Sequence, residues 1–155
     1  MNVYISKNAE LFHKAIEDLW IAQQIWQVSP NNAVWHCTQA AEKTMKGLLR
    51  CNNQDYDYGH DLNELLNTIA HHVELQDEII KNILYLNGFG IGLRYKHIKS
   101  DPTIDEAKVA IARTKQIIQE FGKNPSISSF MKEAEEVHAK ILKASAGKTL
   151  GDPSG

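Results

Sequence analysis

Helical periodicity in residues 34–49 constrains this chain more than any other feature. Small and apolar side chains recur every three or four positions, which places them on one face of a helix. The members of this face are Val34, Cys37, Thr38, Ala41, Met45, Leu48 and Leu49. The side chains of Gln39, Glu42, Lys43 and Lys46 fall elsewhere. Because small residues at the centre of a helix let a neighbour approach closely, the pattern predicts a compact helical bundle with Ala41 at a helix–helix contact.

The same periodicity continues along most of the chain, and strand signals are nearly absent. We therefore predict an all-α, up-and-down bundle of five to six helices. The predicted helices run from about 7 to 28, from 31 or 32 to about 50, from 62 to 73, from 74 or 75 onward, from 104 to 121, and from about 126 to 145. The predicted inward faces include Leu11, Ala15, Leu19, Ala22 and Trp26 in the first helix, and Ile79, Ile80, Ile83 and Leu84 in the fourth.

Helix ends and breaks are marked by particular residues. Asn31 or Asn32 is suited to cap the second helix, and Thr103 with Glu106 forms the pattern of a capping box. Gly88, Gly90 and Gly92 fall within the fourth helix. Since each glycine costs about 1 kcal/mol against alanine, three of them predict a break or kink there.

Composition limits the class of protein. The chain has 155 residues, 43% hydrophobic and 23% charged, which fits one globular domain. We assign residues 1–145 to this domain and expect 146–155 to be a disordered tail. A formal net charge of −2 gives no global positive field, so any phosphate site must be a local patch.

No leader peptide or membrane-spanning run is visible, and the two cysteines lack a Cys-x-x-Cys spacing. We expect a cytoplasmic protein with reduced thiols and no membrane association. The seven histidines show no metal-ligand spacing, so we expect neither a metal nor another cofactor.

A cluster of cationic and titratable side chains follows the glycines directly. It consists of Arg94, Lys96, His97 and Lys99. Arg94 offers a planar fork suited to phosphate, and Tyr95 could stack on a base; alternatively, Arg94 pairs with an acidic residue inside the bundle and Tyr95 packs in the core. Lys43 and Lys46 form a second basic stripe, which is also typical of an ordinary solvated helix face.

Three short motifs occur in an order that resembles the HEPN domain family. They are Ala40-Ala41-Glu42-Lys43, Gly59-His60-Asp61-Leu62 and Arg94-Tyr95. The resemblance covers residues 8 to 122, so the sixth helix lies outside it. It implies a helical bundle that usually forms a homodimer and is often associated with a nucleotide or RNA. It also implies a nucleotidyltransferase protein as partner, in a prokaryotic toxin–antitoxin or defence-type system.

The chain departs from the family pattern at two places. The branch that it resembles ends its motif Arg-Tyr-Pro, whereas Lys96 follows Arg94-Tyr95 here. The ribonuclease branch has a histidine four to six residues after an arginine, whereas His97 follows Arg94 with two residues between them. The pattern therefore leaves enzymatic activity open.

The sequence hypothesis is a module that binds a nucleotide or RNA phosphate. Its candidate binding residues are His60, Arg94, Tyr95, Lys96, Lys43 and Lys46. One alternative is a metal-independent ribonuclease toxin, with His97 as base and Arg94 stabilising the phosphorane. Another is a structural dimer without a ligand. Dimerisation is expected because four bulky side chains stand on several helix sides and cannot all fit one core. These are Trp20, Trp26, Trp35 and Phe130.

Overall fold

The fold is an all-α bundle in a computed structural model that describes residues 3–56, 61–94 and 101–146, with the backbone only for 90–94. Six α-helices follow a short 3-10 turn at Lys7–Ala9. They are α1 (Glu10–Ile25), α2 (Pro30–Cys51), α3 (Leu62–Ala70), α4 (Asp77–Arg94), α5 (Ile104–Phe121) and α6 (Ser128–Ser145). No strand occurs in the part of the chain described, which confirms the predicted fold class.

Helix α2 is the centre of the bundle, since α1, α3, α4 and α5 all pack against it. All seven side chains predicted for its inner face are buried, and Ala41 is fully so. The N-cap lies two or three residues earlier than predicted: Ser29 is the N-cap and Pro30 is the first helical residue. Proline is tolerated there because the first N–H of a helix has no partner within it. The prediction that Asn31 or Asn32 caps α2 is therefore wrong.

Helix α1 runs antiparallel to α2 and is rotated relative to the prediction. Phe12 is fully buried, whereas Leu11 and Leu19 are only half-buried. The Phe12 ring lies against Gly47 of α2: a Cβ added to Gly47 would stand 2.6 Å from Phe12 Cε1. The glycine thus makes room for the ring, and this contact between two helices is not visible in either helix alone.

Helix α4 corrects the prediction of a helix break. It starts at Asp77, later than predicted, and its backbone stays helical through all three glycines to Arg94. Ile79 and Ile83 are buried as predicted, but Leu84 is 45% exposed, and the inner face continues through Leu86 and Phe89 instead.

The last two helices follow the sequence signals closely. The Thr103–Glu106 capping box is formed with both of its hydrogen bonds and opens α5. Helix α6 folds back on α1 and on the N-terminal segment, where Glu133 accepts hydrogen bonds from the backbone and the hydroxyl of Ser6 at 2.7 and 2.8 Å. Ala134 and Val137 are buried, whereas Ala144 is exposed. The predicted tail lies outside the described residues except for Ala146, which caps α6.

The four bulky side chains that motivated the dimer differ in exposure. Trp20 and Trp35 are 37% and 47% exposed, whereas Trp26 and Phe130 pack partly against the core. None of the helices among the described residues is long and apolar enough to cross a membrane.

Candidate functional site

Arg94, the centre of the predicted phosphate site, is the last residue of α4. The structure describes its backbone, and Tyr95, Lys96, His97 and the predicted neighbour His60 lie outside the described residues. The described part of the fourth helix therefore stops at the first residue of the predicted cationic cluster.

The start of α3 is fastened to α4 by the side chain of Asn87. The carboxamide oxygen of Asn87, a residue only 9% exposed, accepts a hydrogen bond from the backbone N–H of Leu62 at 3.1 Å. The Asp61 carboxylate caps the same helix by accepting from the N–H of Asn63 at 2.9 Å. The chain directly after His60 is thus tied to the helix that ends at Arg94. Asn87 and Arg94 are seven residues apart, which is about two turns or ~10 Å along the axis.

Sequence reasoning missed Asn87, although a signal was present. It is an amide in the otherwise apolar run from Ile83 to Phe89. A buried amide needs a hydrogen-bond partner, so its place in this run indicates a structural or functional bond.

Lys43 takes part in a polar cluster between α1 and α2. Its Nζ donates to Asp18 Oδ2 at 2.6 Å, and the ring Nδ1 of His36 lies 2.8 Å from Asp18 Oδ1. Asp18 is only 6% exposed, and a carboxylate so buried is tolerable because both of its oxygens have donors. The helical pattern gave no hint that Asp18 is buried, because both partners belong to another helix.

Lys46 pairs within α2. Its Nζ lies 3.4 Å from Glu42 Oε2, and Glu42 is buried to 4% exposure although the sequence placed it away from the inner face. In the described part of the chain, Lys43 pairs with Asp18 of α1 and Lys46 with Glu42 of α2, and neither lysine is bonded to α4. A role for these two lysines in phosphate binding stays a prediction.

The thiols of both cysteines are protonated at neutral pH, because burial raises their pKa values. Burial raises the pKa of the Cys37 thiol to about 12, with the Asp18 charge adding a smaller increase against a hydrogen bond to Thr114. Burial also raises the pKa of the half-buried Cys51 above its usual range. Since the thiolate is the nucleophile, neither group is activated for attack.

Three aromatic rings meet between α1 and α6. The His138 ring lies 6.2 Å from that of His13 and 6.1 Å from that of Trp20, both in edge contact. Burial and the neighbouring His13 lower the pKa of His138, while Glu17 acts in the opposite direction. No group of three or more potential metal ligands converges here or elsewhere among the described residues.

Comparison with protein families decides the affiliation of this bundle. The model of the HEPN domain matches residues 8–124. The chain belongs to the HEPN family. The match starts at the same residue as the sequence resemblance, ends two residues later, and leaves α6, which packs on α1, outside the matched residues. No curated protein and no solved structure shows significant similarity to the chain.

Proposed function

We propose that this HEPN domain binds the phosphate of a nucleotide or RNA at the C-terminal end of α4. The observation that carries the proposal is the Asn87–Leu62 hydrogen bond, which fastens the start of α3 to the helix that ends at Arg94. The family motifs around His60 and Arg94 therefore flank one tethered region. Family membership supports the ligand class, since HEPN domains are often nucleotide- or RNA-associated.

Side-chain charge dominates binding in this proposal. Arg94, Lys96 and the adjacent cations supply the attraction for a phosphate, because hydrogen bonds from charged donors to a phosphate are stronger than those from neutral donors. Binding of a polyanion by such side chains weakens steeply as salt rises, because bound counterions are released. A mononucleotide engages fewer of these cations than a single-stranded RNA and is less sensitive to salt.

A binding assay with a matched control tests this site. Fluorescence anisotropy of labelled ATP, labelled GTP and a short single-stranded RNA is measured for the unaltered protein, for Arg94→Gln and for Lys140→Gln. Each variant removes one positive charge, but Lys140 is exposed on α6, outside the family match. We expect Arg94→Gln to weaken binding about tenfold, or ~1.4 kcal/mol, and Lys140→Gln to leave it nearly unchanged. Binding of none of the three probes by the unaltered protein, or equal losses in both variants, contradicts the proposal.

The same RNA distinguishes binding from cleavage. We expect it to remain intact after incubation with the protein in the presence of a metal chelator. Cleavage that disappears in both Arg94→Gln and His97→Gln would replace the binding site with a metal-independent ribonuclease site.

The proposed assembly is a homodimer that associates with a nucleotidyltransferase protein. The exposed Trp20 and Trp35 support an interface, because large aromatic side chains are enriched where proteins meet. Sedimentation at micromolar concentration is expected to give twice the chain mass of 17.5 kDa. A 17.5 kDa species would contradict the homodimer.

Co-expression with a nucleotidyltransferase encoded next to this chain is expected to give one chromatographic peak that contains both proteins. Two separate peaks would contradict the association with a nucleotidyltransferase.

A further inference from the structure

A groove of about 670 Å³ runs along the outer side of α4 and α5. All of its lining residues belong to α4 and α5, and none to α3 or to the α1–α2 polar cluster described above. Arg113 stands in its wall beside Asn82 and Gln116, and Asp77 and Glu78 lie towards the beginning of α4.

The guanidinium of Arg113 is held in place from two sides. Its Nη1 donates to Asn82 Oδ1 at 3.0 Å, and its Cζ lies 4.4 Å from the centroid of the Tyr85 ring. Asn82 is 2% exposed and is itself fixed, because its Nδ2 donates to Gln116 Oε1 at 2.9 Å. A buried amide and an aromatic face thus orient one cation, which loses less rotational freedom on binding than a free surface arginine.

Arg113 has no acidic partner among the described residues. No ion pair within 4 Å joins it to a carboxylate there, and the hydrogen bond to Asn82 uses one of the five N–H donors of a guanidinium. An arginine that is positioned but unpaired, at the wall of an open groove, is preorganised for an oxyanion.

The other charges in the groove select among oxyanion ligands. Lys81 adds a second cation, but Asp77 and Glu78 place two carboxylates in the same groove. An RNA backbone would bring repeated negative charge towards those carboxylates, which is unfavourable. A protein segment with one acidic and one basic side chain meets both signs, and its apolar side chains can cover Val109, which is 41% exposed.

We propose that the α4–α5 groove is a docking site for a partner protein, in which Arg113 receives the carboxylate of an acidic side chain and Asp77 and Glu78 receive a basic one. The site is independent of phosphate binding at the end of α4. It uses residues that no motif of the family resemblance includes.

Arginine side-chain NMR tests the carboxylate site directly. The chain contains three arginines, Arg50, Arg94 and Arg113, so its Nε spectrum holds three signals. Arg50 is the internal control, because Tyr56 Oη accepts from its Nη2 at 2.9 Å and Glu10 lies 3.8 Å away. Sodium acetate, titrated against sodium chloride at equal ionic strength, is expected to shift the Arg113 signal saturably and to leave that of Arg50 in place. Equal movement of both signals, or none, overturns the proposal.

A positioning variant separates a built site from a merely exposed cation. Asn82→Leu keeps Arg113 and a side chain of similar size but removes the amide that holds the guanidinium. We expect the apparent acetate affinity at Arg113 to fall at least threefold, while circular dichroism confirms that the helices remain. An unchanged affinity in folded Asn82→Leu shows that the anchor is irrelevant and overturns the site. Should this variant not fold, Gln116→Ala, which frees the other side of Asn82, serves the same comparison with the same expected loss.

Peptide and RNA probes test the class of partner. A blocked peptide with Glu and Lys one helical turn apart is expected to bind more tightly than the same peptide with Gln in place of Lys. This difference should vanish in the double variant Asp77→Asn/Glu78→Gln. Equal affinity of the two peptides overturns the assignment of a mixed-charge partner. Saturable movement of the Arg113 signal by single-stranded RNA, without an effect of the peptides, would assign the groove to nucleic acid instead. The Arg94 signal in the same spectra reports the phosphate site separately, so failure of either proposal is recognisable on its own.

Discussion

Helices α2 and α4 each contain glycine within a regular helix, but the surroundings of these glycines differ. Gly47 of α2 lies under the buried ring of Phe12, where an added Cβ would approach ring carbons to 2.6 and 2.8 Å. Gly88 of α4 faces open space, with nothing within 4 Å of an added Cβ. At both positions glycine costs about 1 kcal/mol of helix stability relative to alanine. Close packing explains the presence of glycine at position 47 but not at position 88.

The two glycines thus differ in whether the packing of the bundle requires them. Helix α2 stabilises the fold because α1 contacts it closely at Gly47 and because other helices pack against its small buried residues. Helix α4 keeps a glycine that its packing does not require, six residues before Arg94. The proposed phosphate site follows this glycine, whereas the neighbouring Leu86 and Phe89 are buried in the core and stabilise the helix.

The largest effect is expected at Gly47. Gly47→Ala places a methyl group against Phe12 and should lower the free energy of unfolding by about 1–3 kcal/mol, measured by urea denaturation. Phe12→Leu vacates part of that space. The double variant should therefore lose less than the sum of the single losses, by at least about 0.5 kcal/mol. Strict additivity would mean that the ring moves aside freely and that the contact does not hold α1 on α2.

The next effect has the opposite sign and concerns Gly88. Gly88→Ala should raise the free energy of unfolding by about 0.5–1 kcal/mol, because alanine restores helix propensity without meeting any atom. Urea denaturation beside Gly47→Ala gives the direct contrast. A loss of stability in Gly88→Ala would show that this glycine is also required by packing and would remove the distinction between the two helices.

The smallest effect is a pH dependence at the α1–α6 contact. The pKa of His138 is lowered from its ordinary value of 6.5, so the neutral ring is favoured in the folded protein. Above about pH 6.5 the ring is neutral in both states; below it the unfolded chain binds the proton first, and the free energy of unfolding falls. Urea midpoints at about pH 7.5 and about pH 5.5 should thus differ more for the unaltered protein than for His138→Gln. An equal difference between the two pH values in both proteins would show that His138 does not cause the pH dependence.

Much of the fold could be predicted because its signals are local. The period of α2 identified seven of its twelve buried residues, and the capping box at Thr103 needs only residues three apart in sequence. Where packing partners lie on other helices, local reasoning failed. Phe12 is buried in place of Leu11 because it meets Gly47, and Asp18 is buried because Lys43 and His36 reach it.

The predicted break in α4 failed for a related physical reason. Propensity counts the cost of each glycine but not the contacts along the rest of the helix, where Ile79, Ile83, Leu86 and Phe89 are buried against the bundle. Tertiary packing outweighs a local cost of a few kcal/mol. The candidate site was predicted only as a set of motif positions, and the bond that joins its two parts, from Asn87 to Leu62, required the folded arrangement.

The contrast between α2, which stabilises the fold, and the end of α4, where binding is proposed, is tested most directly on Arg94→Gln. Two measurements are needed. The urea midpoint of this variant and its affinity for single-stranded RNA, ATP and GTP are measured on the same preparation. We predict a free energy of unfolding within about 1 kcal/mol of the unaltered protein, because a ligand-facing charge contributes little to folding, together with about tenfold weaker binding. A destabilisation of about 3–5 kcal/mol without a change in binding would show that Arg94 is a buried structural ion-pair partner and would contradict the account.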